Sequence, residues 1–137
     1  MPMPLRVVSV EQSIFEGDAD FLLCRGGGGE LGILPNHAPL LTVLQPGPLK
    51  IRTGGEEQEL FVGGGFLEVL PDRVTVLADV AERVEDIDEQ AAEDARRRAE
   101  EQARGDVPSE ERQRLERELE MAEARLRLAR IRRGRPQ

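Results

Sequence analysis

Up to Glu85 the apolar residues come in short runs. They are Leu5–Val10, Asp20–Arg25, Leu31–Leu34, Leu40–Leu44, Leu49–Arg52, Glu59–Val62, Phe66–Leu70 and Val74–Ala78. Turn signals separate them: Glu16-Gly17-Asp18, Gly26 to Gly29, Pro46-Gly47, Thr53-Gly54-Gly55, Gly63-Gly64-Gly65 and Pro71-Asp72. Runs of this length, about 8–12 residues apart, are the pattern of an antiparallel sandwich or barrel. Alternation within a run supports it, since Val74, Val76 and Ala78 would face one way while Thr75, Leu77 and Asp79 face the other. Two stacked sheets hide both faces of many short strands with little chain. The stretch from Glu30 to Leu41 is the sharpest corner. Gly32 and Pro35 prevent it from being one helix or one strand. Leu31, Ile33 and Leu34 are expected in the core, and Asn36-His37-Ala38-Pro39 reads as a rigid turn into the next strand.

From Asp86 the period changes. Asp86-Ile87-Asp88 offers N-cap carboxylates, and Asp88, Glu89 and Glu93 suit the positive end of a helix that stops at Gly105. Ala91, Ala95, Ala99 and Ala103 predict a stripe of small side chains, and Pro108-Ser109 opens a second helix. Leu115, Leu119, Ala122, Leu126 and Ala129 step by four and three, as a packing seam does. The expected fold is α+β: an N-terminal antiparallel β-sandwich over residues 1–85, then a C-terminal antiparallel helical hairpin over 86–137.

Composition sharpens the division. Twelve of the 14 glycines lie before residue 86, whereas more than half of the charged residues lie after it. A net charge of −8 argues against a nucleic-acid partner, and the absence of Trp and Tyr leaves little for base stacking. No apolar stretch approaches the ~20 residues that span a bilayer, so direct membrane insertion is not expected. The opening MPMPLRVVSV lacks the layout of a secretory signal, which predicts a soluble, intracellular protein. Charge is also polarised along the second helix. Acids dominate from Glu110 to Glu123, but six arginines and no acid occupy Arg125 to Arg135. Helix-end electrostatics favours cations there by about 0.3–1 kcal/mol each, yet six exceed that need and point to an acidic partner surface. Contacts of this kind are individually weak and salt-sensitive.

Candidate chemistry is sparse. His37 is the only histidine and has no neighbouring nucleophile or second ligand, so a packed or interface role is expected rather than catalysis. Gly26 to Gly29 lacks the Lys-Ser or Lys-Thr of a phosphate loop and reads as a hairpin turn. Gly63 to Gly65 reads as a bulge or tight turn. One cysteine, Cys24, excludes an internal disulfide and is expected to be buried. Neither a metal nor an organic cofactor is expected, and no catalytic residue is assigned.

Three segments nonetheless match a known pattern: VVSVEQSIFEGDAD (7–20), GELGILPNHAPLL (29–41) and VGGGFLEVLPDRVTVLAD (62–79). With the helical tail, they resemble the epsilon subunit of F-type ATP synthases, the equivalent of the mitochondrial delta subunit, over essentially the whole chain. The resemblance implies a non-catalytic rotor subunit of a hetero-oligomer, peripheral at the cytoplasmic face of the plasma membrane. It implies that the sandwich meets the gamma subunit and the c-ring, with Glu30 and His37 near both and Val10 and Thr42 facing gamma. The hairpin would lie folded down or extend beside gamma. When extended, Arg125, Arg127, Arg130, Arg132 and Arg133 would meet an acidic segment of the beta subunits and restrain ATP hydrolysis.

Some members of that family bind ATP through an Ile/Leu-Asp-x-x-Arg-Ala motif. An ungapped alignment sets Glu110 to Leu115 against it, keeping only Arg114 and the acidity of Glu111; Met121 replaces a later arginine and Arg125 remains. The rival class is a stand-alone adaptor, a sandwich with a coiled-coil arm that binds an acidic protein or nucleic acid. An enzyme would need a convergent polar pocket that the sequence does not present.

Overall fold

In the computed structural model, which describes residues 2–134, the chain forms two compact units that divide between Arg83 and Val84. The first contains ten strands: β1 Met3–Ser9, β2 Ser13–Ala19, β3 Phe21–Gly26, β4 Gly29–Ile33, β5 Leu40–Leu44, β6 Gly47–Thr53, β7 Glu56–Val62, β8 Gly65–Leu70, β9 Arg73–Ala78 and β10 Ala81–Arg83. They follow one hydrogen-bonded path, β10-β7-β6-β3-β5-β8-β9-β1-β2, with β4 paired to β3. The path folds over on itself, so that edge strand β2 comes against β6 and β10. Between the layers lie Leu5, Val7, Leu22, Ile33, Leu49, Ile51, Leu60, Leu67 and Val76, each almost fully buried.

The expected sandwich is present, with one departure from antiparallel order: β1 and β9 run parallel. Neighbours in sequence must reverse direction, but β1 and β9 are separated by most of the unit and are free of that constraint. Two strands escape the run pattern. Glu16-Gly17-Asp18, expected as a separator, lies inside β2, paired with Arg6, Leu5 and Pro4. A polar edge strand resembles a turn in sequence because only one of its neighbours demands apolar contact. The second, β10, has only three residues. Leu34, expected in the core, is exposed, whereas Ile33 is buried and Leu31 packs partly against the core.

The glycine-rich links behave as hairpin chemistry requires. Gly27-Gly28 form the two-residue turn between β3 and β4. At Gly65 the requirement is steric. Its φ is +128°, and a Cβ there would lie 2.0 Å from the Leu77 carbonyl oxygen and 2.8 Å from Ala78 Cα. Gly63 N–H donates to Val80 O at 2.8 Å, and Asp79 N–H to Gly64 O at 3.0 Å, so the glycines stitch β8 to the end of β9.

In the second unit a short 3-10 turn, Val84–Asp86, precedes α1 Glu89–Ala103 and α2 Ser109–Arg133. Asp88 caps α1 as expected, its carboxylate accepting from Ala91 N–H at 3.0 Å. The last carbonyl of α1 and one in the following turn are satisfied from α2: the Arg112 guanidinium donates to Ala103 O at 3.0 Å and Gly105 O at 3.2 Å. Pro108 is the N-cap residue of α2, and no side chain caps that helix. On α2 the seam holds, with Leu115, Ala122, Leu126 and Ala129 buried and Leu119 partly so; Ala124 and Leu128 are buried as well. The alanine stripe on α1 holds in part: Ala99 is buried and Ala95 and Ala103 are partly so, while Ala91 is exposed and its neighbour Ala92 is buried. Steps of four drift by about 40° each, so the stripe turns by about 120° from Ala91 to Ala103 and its first member leaves the buried side.

Gly65→Ala is expected to cost about 2–4 kcal/mol in urea unfolding, combining positive-φ strain with a backbone clash. Gly27→Ala, with open space around its Cβ position, should change stability by less than about 1 kcal/mol.

Candidate functional site

Two surfaces stand out, one on each unit. On the sandwich, alternation in β5, β8, β9 and β1 sends one set of side chains inward and the other outward. The outward set is unusually apolar. Registers Val43↔Phe66, Phe66↔Leu77 and Val8↔Leu77 align Val43, Phe66, Leu77 and Val8 in one row across four strands. Leu41, Glu68, Thr75 and Arg6 form the next row. Leu41 is 68% exposed, Leu77 53%, and Val43 and Phe66 51% each. An isolated exposed leucine is ordinary, but contiguous apolar side chains on one sheet face mark a contact surface.

The residues expected at partner contacts are distributed around this unit. Val10 is 89% exposed in the turn between β1 and β2, just beyond the end of the apolar row. Thr42 is partly buried and sits opposite buried Leu67, on the inward side of β5; its neighbours Leu41 and Val43 are the outward ones. Glu30 is exposed on β4, opposite Arg25. His37 is partly buried in the link to β5, with ring Nδ1 2.7 Å from Ala38 O and the backbone N–H donating to Leu34 O at 3.1 Å. Pro35-Asn36 occupies the corner of that link, with Asn36 at φ 68°, the pairing that a type II turn favours. No hydrogen bond or ion pair joins Glu30 to His37 among the described residues.

The second surface is the basic end of α2. Arg130 and Arg133 are held by carboxylates at the start of α1. Arg130 Nε lies 3.4 Å from Glu89 Oε1 and its Nη2 3.2 Å from Glu93 Oε2; Arg133 Nη1 reaches Glu89 at 2.9 Å. This clasp sets acids at the N-terminus of one helix against bases at the C-terminus of its antiparallel neighbour, so both helix dipoles reinforce it. Arg127 and Arg132 are exposed and form no ion pair with a described residue, and Arg125 is partly buried. Arg135 lies outside the described residues. The Arg96 hydrogen bond to Glu93 holds that carboxyl below its usual value of 4.5; desolvation opposes the shift, and the charges of Arg96, Arg130 and Arg97 add to it. Arg114 lowers Glu111 in the same way.

Cys24 is buried, and burial pushes its thiol up to about 11. No described group of three His, Cys, Asp or Glu side chains has metal-site geometry, and no helix among the described residues is long and apolar enough to cross a membrane. An open groove of about 450 Å³ between α1 and α2 is lined by Arg98, Arg114 and Arg125 among others. Arg114 is tied to Glu111 and Glu118. The nucleotide motif is matched more fully at Ile87-Asp88-Glu89-Gln90-Ala91-Ala92 than at Glu110–Leu115. There Ala91 stands in place of the arginine, and Asp88 serves as the helix cap.

The geometry therefore defines a protein with two contact surfaces, an apolar outer row on a sandwich and the charge-clasped end of a helical hairpin. The model of the ATP synthase delta/epsilon chain β-sandwich domain matches residues 2–84. The ATP synthase epsilon chain of Herpetosiphon aurantiacus is 44% identical over 135 residues, covering 98% of this chain and 99% of that one. That of Dehalococcoides mccartyi is 48% identical over 136 residues, 98% and 97% of the two chains. That of Chromohalobacter salexigens is 57% identical over 94 residues, 68% and 67%. A chain of the Euglena gracilis mitochondrial ATP synthase, in an OSCP/F1/c-ring assembly, superposes with a TM-score of 0.77 at 24% identity, covering 90% of this chain and 78% of that one. The chain belongs to the ATP synthase epsilon-chain family, and is an accessory subunit rather than an enzyme.

Because the folded state holds Glu93 and Glu111 below their usual carboxyl values, their contribution to stability is complete above about pH 4.5. It is lost as pH falls through their depressed values. Helical circular dichroism melts between pH 7 and pH 3 should show this acid limb, and a Glu93→Gln/Glu111→Gln variant should show a shallower one. An unchanged limb would assign the acid sensitivity to other carboxylates.

Proposed function

We propose that the chain is a rotor subunit of a proton-translocating F-type ATP synthase, linking gamma to the c-ring at the cytoplasmic face of the plasma membrane and restraining ATP hydrolysis through its helical hairpin. The observation that carries the reading is the apolar row Val43–Phe66–Leu77–Val8, a preformed contact face on a chain of this family. Gamma is the occupant of that face, with Leu41 and Val43 as the outward contacts of β5 and Val10 at its margin. Glu30 and His37 contribute to the contact with gamma and the c-ring. Support for a stalk position also comes from solved neighbours: a chain at TM-score 0.55 belongs to the central stalk and c-ring of the Tetrahymena thermophila mitochondrial ATP synthase.

The restraint on hydrolysis is assigned to Arg125, Arg127, Arg130, Arg132 and Arg133, which meet an acidic segment of beta. Arg127 and Arg132 are exposed in the closed hairpin, whereas Arg130 and Arg133 must leave Glu89 and Glu93 first. The acidic segment of beta and the two glutamates thus compete for the same guanidiniums, and the exchange keeps the number of charge pairs nearly constant.

ATP hydrolysis by the catalytic head from the same source tests this reading. Full-length chain should inhibit, and a chain truncated after Glu85 should bind without inhibiting. Neutralising the five arginines should weaken inhibition, while Glu89→Gln/Glu93→Gln should strengthen it about 3–10-fold by releasing the clasp. Binding without inhibition by either form would make the chain a coupling spacer, and failure of both to bind would remove the rotor assignment.

A further inference from the structure

Within the outward face of the sandwich, one carboxylate sits beside the apolar row. Glu68 lies on β8 between Leu41 and Thr75 across the strands, with Phe66 and Leu70 two residues away on its own strand. It is partly buried. Among the described residues no cation pairs with its carboxylate and no donor hydrogen-bonds to it. The nearest bases on this face are Arg73, diagonal to Glu68 on β9 and paired with Asp72, and Arg6, two strands away beyond Thr75 and roughly 10 Å along the sheet. In the free chain this costs little, because water solvates the carboxylate.

Covering the row changes that. A partner that buries Val43, Phe66 and Leu77 also strips water from Glu68, and a buried unpaired carboxylate costs several kcal/mol. We propose that Glu68 is the specificity determinant of this interface: the segment that covers the row is apolar and carries an arginine or lysine opposite Glu68. Arg6 at the far end of the row repels a second cation, so the pair also fixes which way round the segment lies. A partner with the apolar contacts but no cation at that position is rejected by the unpaired carboxylate. This rests on the reading that gamma covers the face.

The test is calorimetric binding of full-length chain to purified gamma from the same source, at about 50 and 300 mM salt. Glu68→Gln keeps the shape and removes the charge. It should weaken binding about tenfold at low salt and flatten the salt dependence, with the thermal unfolding of the free chain unchanged. Glu56→Gln, an exposed carboxylate in the β6–β7 hairpin, should bind as wild type. Glu68→Leu separates charge from packing: it should weaken binding more than Glu68→Gln, because it leaves the partner's cation buried against hydrocarbon. Tighter binding by Glu68→Leu, or wild-type affinity for Glu68→Gln, overturns the proposal. No binding by wild type would instead overturn the gamma reading and this role with it.

Discussion

The register between β8 and β9 governs both the core and the contact surface of the first unit. Leu67 faces Val76 and Val69 faces Val74 on the inner side, and the same pairing sets Phe66 against Leu77 and Glu68 against Thr75 on the outer side. A slip of β8 by one residue would bury Glu68 and expose Leu67 and Val69. The register is pinned where the two strands approach most closely, at Gly65, because only a residue without a Cβ fits beneath the Leu77 carbonyl. The apolar outer row is therefore tied to the geometry that makes the core. Its cost as an exposed surface is understandable on a chain whose family members work inside an assembly.

The helical unit is organised on different terms. Its apolar seam is short of large side chains, and its carboxylates and guanidiniums form a lattice: Glu93 with Arg96 and Arg130, Arg96 with Glu100, Arg114 with Glu111 and Glu118. Exposed pairs of this kind are each weak, about 0–1 kcal/mol, and exchange partners at little net cost. A unit held in this way is suited to change its contacts, because every pair broken internally can be replaced by an equivalent pair to another acidic surface. The clasp at Glu89 and Glu93 bears most directly on such an exchange, since it occupies two of the arginines assigned to the partner.

The two units also differ in how strongly they define a partner. An apolar row of fixed geometry with one adjacent carboxylate specifies shape, polarity and direction together. A cluster of arginines on a helix end specifies little beyond negative charge, and its strength falls with salt. On the proposed reading, the sandwich carries selective assembly and the hairpin carries reversible, salt-dependent contact.

Much of this was legible in the residues. Alternation of Val74, Val76 and Ala78, the paired glycines and the seam from Leu115 to Ala129 determined the two-part architecture, since period-two and period-four burial are local consequences of chain geometry. The family segments were equally plain. Tertiary structure decided the rest. That Glu16-Gly17-Asp18 forms an edge strand depends on β1 lying beside it, and that Thr42 turns inward while Leu41 and Val43 turn outward depends on the strand opposite. The alignment of Val43, Phe66, Leu77 and Val8 joins residues far apart in sequence through three separate registers, which no local pattern encodes. The pairing of Arg130 and Arg133 with Glu89 and Glu93 is likewise a product of the antiparallel hairpin, because it depends on which helix ends meet.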